Sequence, residues 1–244
     1  MSEILFVHPA TQKSALRRLL RIDRAVTTVQ LERLGLTQAA NWLGLEPEWR
    51  TCRPCVTQSR RLLDLGFVSL NDLSDEPTST LMHWAGLAEQ RTLLGPALQE
   101  PYEWNHTDAR GISRRHLPDA ALRFCDEPNE TAVEFDAGYD WTVIEAKLRG
   151  ASRAGYAAVV WGSTVRARPA KVAAVARQLR ADGELPGLQS LVTHYVDFWT
   201  SDTPYKPRPY SDVQDRHNVI FAAARASGSG ARVGSRRARA AGSS

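Results

Sequence analysis

The chain has 244 residues and carries 31 Lys and Arg against 27 Asp and Glu, a formal net charge of +4. That length holds two small domains, each large enough for a core of its own. No apolar run approaches the roughly 20 residues of a membrane span and the start lacks a secretory apolar stretch, so a soluble, cytoplasmic protein with no membrane partner is expected.

In chain order, Lys13 to about Val26 places Leu16, Leu19, Leu20 and Ile22 at helical spacing, with Arg17, Arg18, Arg21 and Arg24 interspersed. Thr27 or Thr28 is suited to cap a second helix through Leu31 and Leu34, with Gly35 ending it. Pro54 suits the start of a third helix reaching Leu65 and closed by Gly66. Its front half, Thr57, Gln58, Ser59, Arg60 and Arg61, offers base-reading and phosphate-binding side chains, with Leu62, Leu63 and Leu65 as an apolar anchor behind. Phe67-Val68 and Thr80-Leu81-Met82 then read as two strands around a polar loop. The whole of residues 12–95 is expected to be a winged helix-turn-helix that docks on duplex DNA. Cys52 and Cys55 have C-x-x-C spacing, but no second pair of ligands accompanies them; they are expected to be plain thiols at a helix start, with zinc the minor option.

The second half turns on Pro118-Asp119 and, fifteen residues after Asp119, Glu134-Phe135-Asp136. Strand side chains alternate, so Leu122 and Phe124 share a face that Asp119 avoids, and Val133 and Phe135 oppose Glu134 and Asp136. A hairpin turning at Glu127-Pro128-Asn129-Glu130 therefore brings three carboxylates together over an apolar underside. Hard oxygen ligands of this kind suit Mg²⁺ and phosphodiester chemistry, although acids are also common on exposed hairpin faces. Asp140 is placed to cap a helix from Trp141 to about Gly150. Lys147 lies on it with no acid three or four residues away, so a partner elsewhere, among the carboxylates or on a phosphate, is expected. Arg110, Arg114 and Arg115 before the Pro-Asp run, and Arg149 and Arg153 after Lys147, are candidates to line a groove. Of the six histidines, His116 is the one expected near the acids.

Ala157 to Trp161 reads as a buried strand, Pro169 to about Arg180 as a helix ended by Asp182-Gly183, and Leu191 to Trp199 as another strand. Hairpin, helix, strand, helix, strand is the order of a mixed sheet with helices on its faces, an α+β or α/β domain over residues 100–200. Ser211 and Gln214 form a capping box for a last helix within 210–226. The Gly-, Ser- and Ala-rich end, 227–244, carries Arg232, Arg236, Arg237 and Arg239 without an acid and is expected to be a disordered basic tail.

This order resembles the PD-(D/E)xK nuclease core, in which a Pro-Asp strand pairs with a Glu-bearing strand. With the N-terminal unit, the chain is similar to the replication-relaxation family of plasmid and mobile-element proteins, through Leu117-Pro118-Asp119-Ala120, Val133-Glu134-Phe135-Asp136, the Lys147 helix and Ala158-Val159-Val160-Trp161. The resemblance implies Mg²⁺-dependent nicking and relaxation of plasmid DNA. Asp119 and Glu134 would hold the metal, Asp136 would assist it or a water, and Lys147 would steady charge on the phosphate. Nucleases of this fold normally carry Lys two residues after the Glu, where this chain has Asp136. Either Lys147 replaces it from the following helix, or catalysis has been lost and a winged-helix transcription or copy-number regulator with an assembly domain remains. Double-stranded DNA is the expected partner, and a second copy of the chain is another.

Overall fold

The computed structural model describes residues 8–55, 62–95, 101–107, 117–125, 129–202, 204–205 and 216–221. Helix α1 (Pro9–Asp23) buries Leu16 and Leu20 and leads into a two-residue strand, β1 (Val26–Thr27). Thr27 then caps α2 (Thr28–Arg33): its hydroxyl accepts from the Gln30 amide at 3.1 Å, while the Gln30 side chain accepts from the Thr27 amide at 2.9 Å. Gly35, at φ 67°, supplies the left-handed turn that ends α2. A third helix, α3 (Thr37–Trp42), follows at once, and β2 (Glu48–Cys52) and β3 (Leu63–Val68) complete an antiparallel sheet in the order β1-β3-β2.

Three expectations are corrected here. Leu63 to Leu65 belong to a strand rather than the end of a helix, because β3 is the middle strand and finds partners on both edges. Gly66 is no helix cap: a Cβ there would lie 3.0 Å from both Pro47 and Thr28, so its lack of a side chain lets the chain pack closely. Thr57 to Arg61 lie outside the described residues. Thr80 to Met82, expected as a strand, sit in α4 (Thr78–Leu94), the longest helix described. Cys52 ends β2, and Cys52 and Cys55 are both buried thiols without a disulfide.

The second sheet has six strands in the order β4-β5-β6-β7-β8-β9. Strands β4 (Tyr102–His106), β5 (Ala120–Phe124) and β6 (Thr131–Asp136) are antiparallel neighbours. Helix α5 (Trp141–Arg153) crosses to β7 (Ala158–Ser163), and α6 (Arg168–Ala181) crosses to β8 (Ser190–Tyr195), both strands parallel to β6. The edge strand β9 (Arg216–Ile220) runs antiparallel to β8. Val219 and Ile220 were expected in a helix. They take strand form because β8 offers an open edge, and alternation buries Val219 while leaving Ile220 exposed. The architecture is thus mixed α and β, with a six-stranded mixed sheet and a three-stranded antiparallel one.

Helix α4 covers one face of the large sheet and α5 and α6 the other. Gly86 brings α4 close, since a Cβ there would come within 2.3 Å of the Phe135 ring. One apolar cluster joins Ala25, Leu65 and Phe67 of the N-terminal unit to Phe135, Val160 and Phe198 of the second. Polar groups tie the same seam. Arg33 pairs with Glu89 at 2.6 Å and donates to the Asp197 carbonyl at 2.8 Å, and the Thr27 hydroxyl donates to the Phe198 carbonyl at 2.6 Å. The units expected at 12–95 and 100–200 therefore meet over a shared core. Among the described residues no helix is long and apolar enough to cross a membrane.

Candidate functional site

Strand register builds the site. Ala120 pairs with Val133, so the next antiparallel position sets Asp119 opposite Glu134. The Asp119 amide donates to the Val133 carbonyl at 3.0 Å, and the Asp119 carboxylate accepts from the Phe135 amide at 2.8 Å. The even-numbered side chains of β6 face α5 and α6, whereas Val133 and Phe135 join the cluster beneath α4. Helix α5 is anchored on that first face by Ile144, Leu148 and Ala151. Lys147, between two of these anchors, lays its stem along the apolar surface and delivers its ammonium to the acids. Its Nζ donates to Glu134 Oε2 and stands 3.3 Å from Asp119 Oδ1. Residues from a strand start, a strand middle and a helix thus converge.

Glu134 is only 2% exposed and Lys147 only 7%, so the trio forms a buried floor. Two carboxylates share one ammonium. Burial, and then the neighbouring Asp119 charge, push Glu134 well above the usual carboxylate range despite Lys147. Burial also acts to raise Asp119, but His83, Lys147 and the Phe135 amide outweigh it and hold Asp119 below its ordinary value. For Lys147 the desolvation penalty is overcome by Glu134 and Asp119, and its proton is held more tightly than in a free lysine. Lys147 is therefore a fixed positive charge, unsuited to act as a base near neutrality.

A cleft of about 320 Å³ opens above this floor, and Arg24, His83, His106, Asp119, Tyr139 and Lys147 all line it. His83 was not foreseen. It comes from α4, its Nε2 lies 3.4 Å from Asp119 Oδ1, and its ring meets Phe135 edge-on at 5.4 Å. The one sequence hint was an imidazole beside Trp84 and Leu87 on a largely apolar helix; its distance from the acids along the chain concealed the rest. Tyr139 places its ring 5.5 Å from the Lys147 ammonium.

Asp136 does not join the other acids and corrects the expected trio of carboxylates. It is fully buried, pairs with Arg168 at 3.1 Å, and accepts from the Gly138 amide at 2.7 Å. Those bonds fix the turn between β6 and α5 and use both of its oxygens. Arg149 is held by Glu145 and Glu184, so it is not a groove residue. Arg110, Arg114, Arg115 and His116 lie outside the described residues.

Mg²⁺ characteristically takes one or two carboxylates and completes its shell with water and substrate phosphate. Asp119, which lines the cleft, and the buried Glu134 beside it fit that habit as two hard oxygen donors held by one ammonium. Among the described residues no cluster of three or more acid, His or Cys side chains is arranged to hold a metal, so a dedicated protein cage is not what they offer. Comparison with protein-family models, with curated proteins and with solved structures returns no match for this chain.

Proposed function

We propose that the protein binds duplex DNA and hydrolyses its phosphodiester backbone at the Asp119–Glu134–Lys147 cleft, nicking and relaxing plasmid or mobile-element DNA in replication. The observation that carries this is the convergence of those three side chains, with Asp119 and Lys147 lining an open cleft and Glu134 buried beside them. Asp119 and Glu134 would hold Mg²⁺, which when bound supplies a Lewis acid for the phosphoryl oxygens. Lys147 keeps both carboxylates oriented and offers an ammonium to charge developing on the phosphate. Phe135, through its amide, fixes the Asp119 carboxylate, and His83 closes its open side.

DNA binding rests on the N-terminal unit. Its order of helix, strand, two helices and two strands, with sheet order β1-β3-β2, supports reading it as a winged helix. In such a unit α3 is the reading helix, joined to α2 by the turn at Gly35. It buries Ala39 and Ala40 and exposes Thr37, Gln38, Asn41 and Trp42, and Gln and Asn side chains pair with base edges.

One observation favours a regulator without cleavage: Lys147 already bridges the two acids, which gives the fold a reason to keep them. Supercoiled plasmid incubated with the protein and Mg²⁺ separates the readings. Nicked or relaxed product that vanishes in Asp119→Asn and Glu134→Gln supports the nuclease. Intact plasmid that is nonetheless bound would leave the regulator.

A further inference from the structure

We infer that Tyr139 is a catalytic residue of the cleft, its hydroxyl donating to a non-bridging oxygen of the phosphate that Lys147 faces. The inference rests on the nuclease reading of the same cleft and adds to it a neutral donor for the reacting group. Tyr139 lies in the short connection between β6 and α5, where the backbone is closely held. Its amide donates to Asp136 Oδ1 at 2.5 Å, and the Gly138 amide donates to the same oxygen at 2.7 Å. Arg168 donates to the Tyr139 carbonyl while pairing with Asp136 at 3.1 Å. Taking an ion pair out of water costs about as much as its attraction returns, so the buried Asp136–Arg168 pair is better explained by the one backbone course it enforces. Gly138, at φ 136°, makes that course possible.

What that course brings to the cleft is the half-buried Tyr139 side chain, which lines it with His83, Asp119 and Lys147. Its ring packs against the apolar cluster beneath α5 and α6 and has the Lys147 ammonium 5.5 Å from its centroid. The ring is occupied; the hydroxyl is not. Among the described residues the Tyr139 hydroxyl has no hydrogen-bond partner, and it is not sealed from solvent. The phenols of Tyr102, Tyr195 and Tyr205 differ, since each has a charged side chain as its partner, at 3.0, 3.1 and 2.9 Å. Burial, and then the Asp119 charge, raise the Tyr139 phenol above its ordinary range, so it keeps its proton near neutrality and can only donate to an anion. A phosphate oxygen entering the cleft supplies the acceptor that the protein does not. Set beside a fixed ammonium, such a donor meets charge appearing on the phosphoryl oxygens.

The test uses Tyr139→Phe in the full chain, which keeps the ring and the backbone bonds and removes the hydroxyl alone. Parent and variant are compared by Mg²⁺-dependent cleavage kinetics, duplex anisotropy and thermal unfolding. The cleavage series includes both diastereomers of a phosphorothioate at the mapped cut position. In Tyr139→Phe kcat is expected to fall about a hundredfold, with KM and duplex affinity within about twofold of the parent and an unchanged melting temperature. Sulfur accepts hydrogen bonds weakly, so one diastereomer should slow the parent more than the other, and Tyr139→Phe should narrow that difference. If the parent cuts and Tyr139→Phe cuts as fast, the inference alone falls. It falls alone, too, if the loss disappears once activity is expressed per folded molecule, or if the variant keeps the parent's full preference between diastereomers. A parent that binds duplex without cutting it overturns the nuclease reading and this inference with it.

Discussion

Replacing Glu134 by Gln tests the electrostatic account of the site most sharply, because two views of the trio predict opposite signs. If the Lys147–Glu134 contact is a stabilising ion pair, breaking it in a buried setting should cost about 3–5 kcal/mol. The geometry argues otherwise. Two buried carboxylates share one ammonium, and Glu134 has its proton affinity raised by burial and by Asp119. A carboxylate raised in the folded state contributes stability that is complete below its ordinary value near 4.5 and is lost as pH climbs through the folded value. Each pH unit in that window removes about 1.4 kcal/mol. Gln keeps the shape and the hydrogen bond but has no proton to lose. In chelator-treated buffer Glu134→Gln should match the parent near pH 4.5 and exceed it progressively as pH rises above that. Denaturant titrations at half-unit pH steps would measure the gap. A variant less stable than the parent at pH 7, or a gap that does not grow with pH, would refute the reasoning. The same substitution should abolish cleavage.

Further expectations concern the rest of the molecule. His194 is buried on β8, and burial, with Arg216 nearby, lowers its pKa from 6.5 to about 4. A histidine depressed in this way contributes stability above 6.5 that is lost as pH falls toward 4, roughly 3 kcal/mol in all. His194→Gln should flatten that part of a pH–stability curve. Gly86→Ala would drive a methyl into the Phe135 ring, at 2.3 Å without movement, and should destabilise the shared core by about 1–3 kcal/mol in thermal unfolding. Gln38→Ala and Asn41→Ala on the exposed face of α3 should each reduce discrimination between preferred and scrambled duplexes by about 1–3 kcal/mol in competition binding, while a scrambled duplex is bound as before.

The local signals in the sequence were those whose cause lies within a few residues. Alternation along β5 and β6, the spacing of Ile144, Leu148 and Ala151, and a threonine cap at 27 or 28 each state an element because neighbouring side chains dictate it. That Lys147 lacks an intrahelical acid foretold a distant partner, and Glu134 and Asp119 are that partner. Failures arose where the deciding contact was remote. Leu63 to Leu65 carry helix-compatible residues, but two strand neighbours claim them. Val219 follows the open edge of β8. Asp136 has the alternation of a site acid, yet Arg168, from the next helix, takes its charge.

By itself, then, the sequence determined the period of each strand and helix and which acids could share a face. Only the tertiary structure decided which charges met, that His83 stands over Asp119, and that Tyr139 lines the same cleft. The physical reason is range. Backbone propensity and side-chain alternation act over a turn or a strand, whereas burial and ion pairing depend on what the rest of the chain brings alongside.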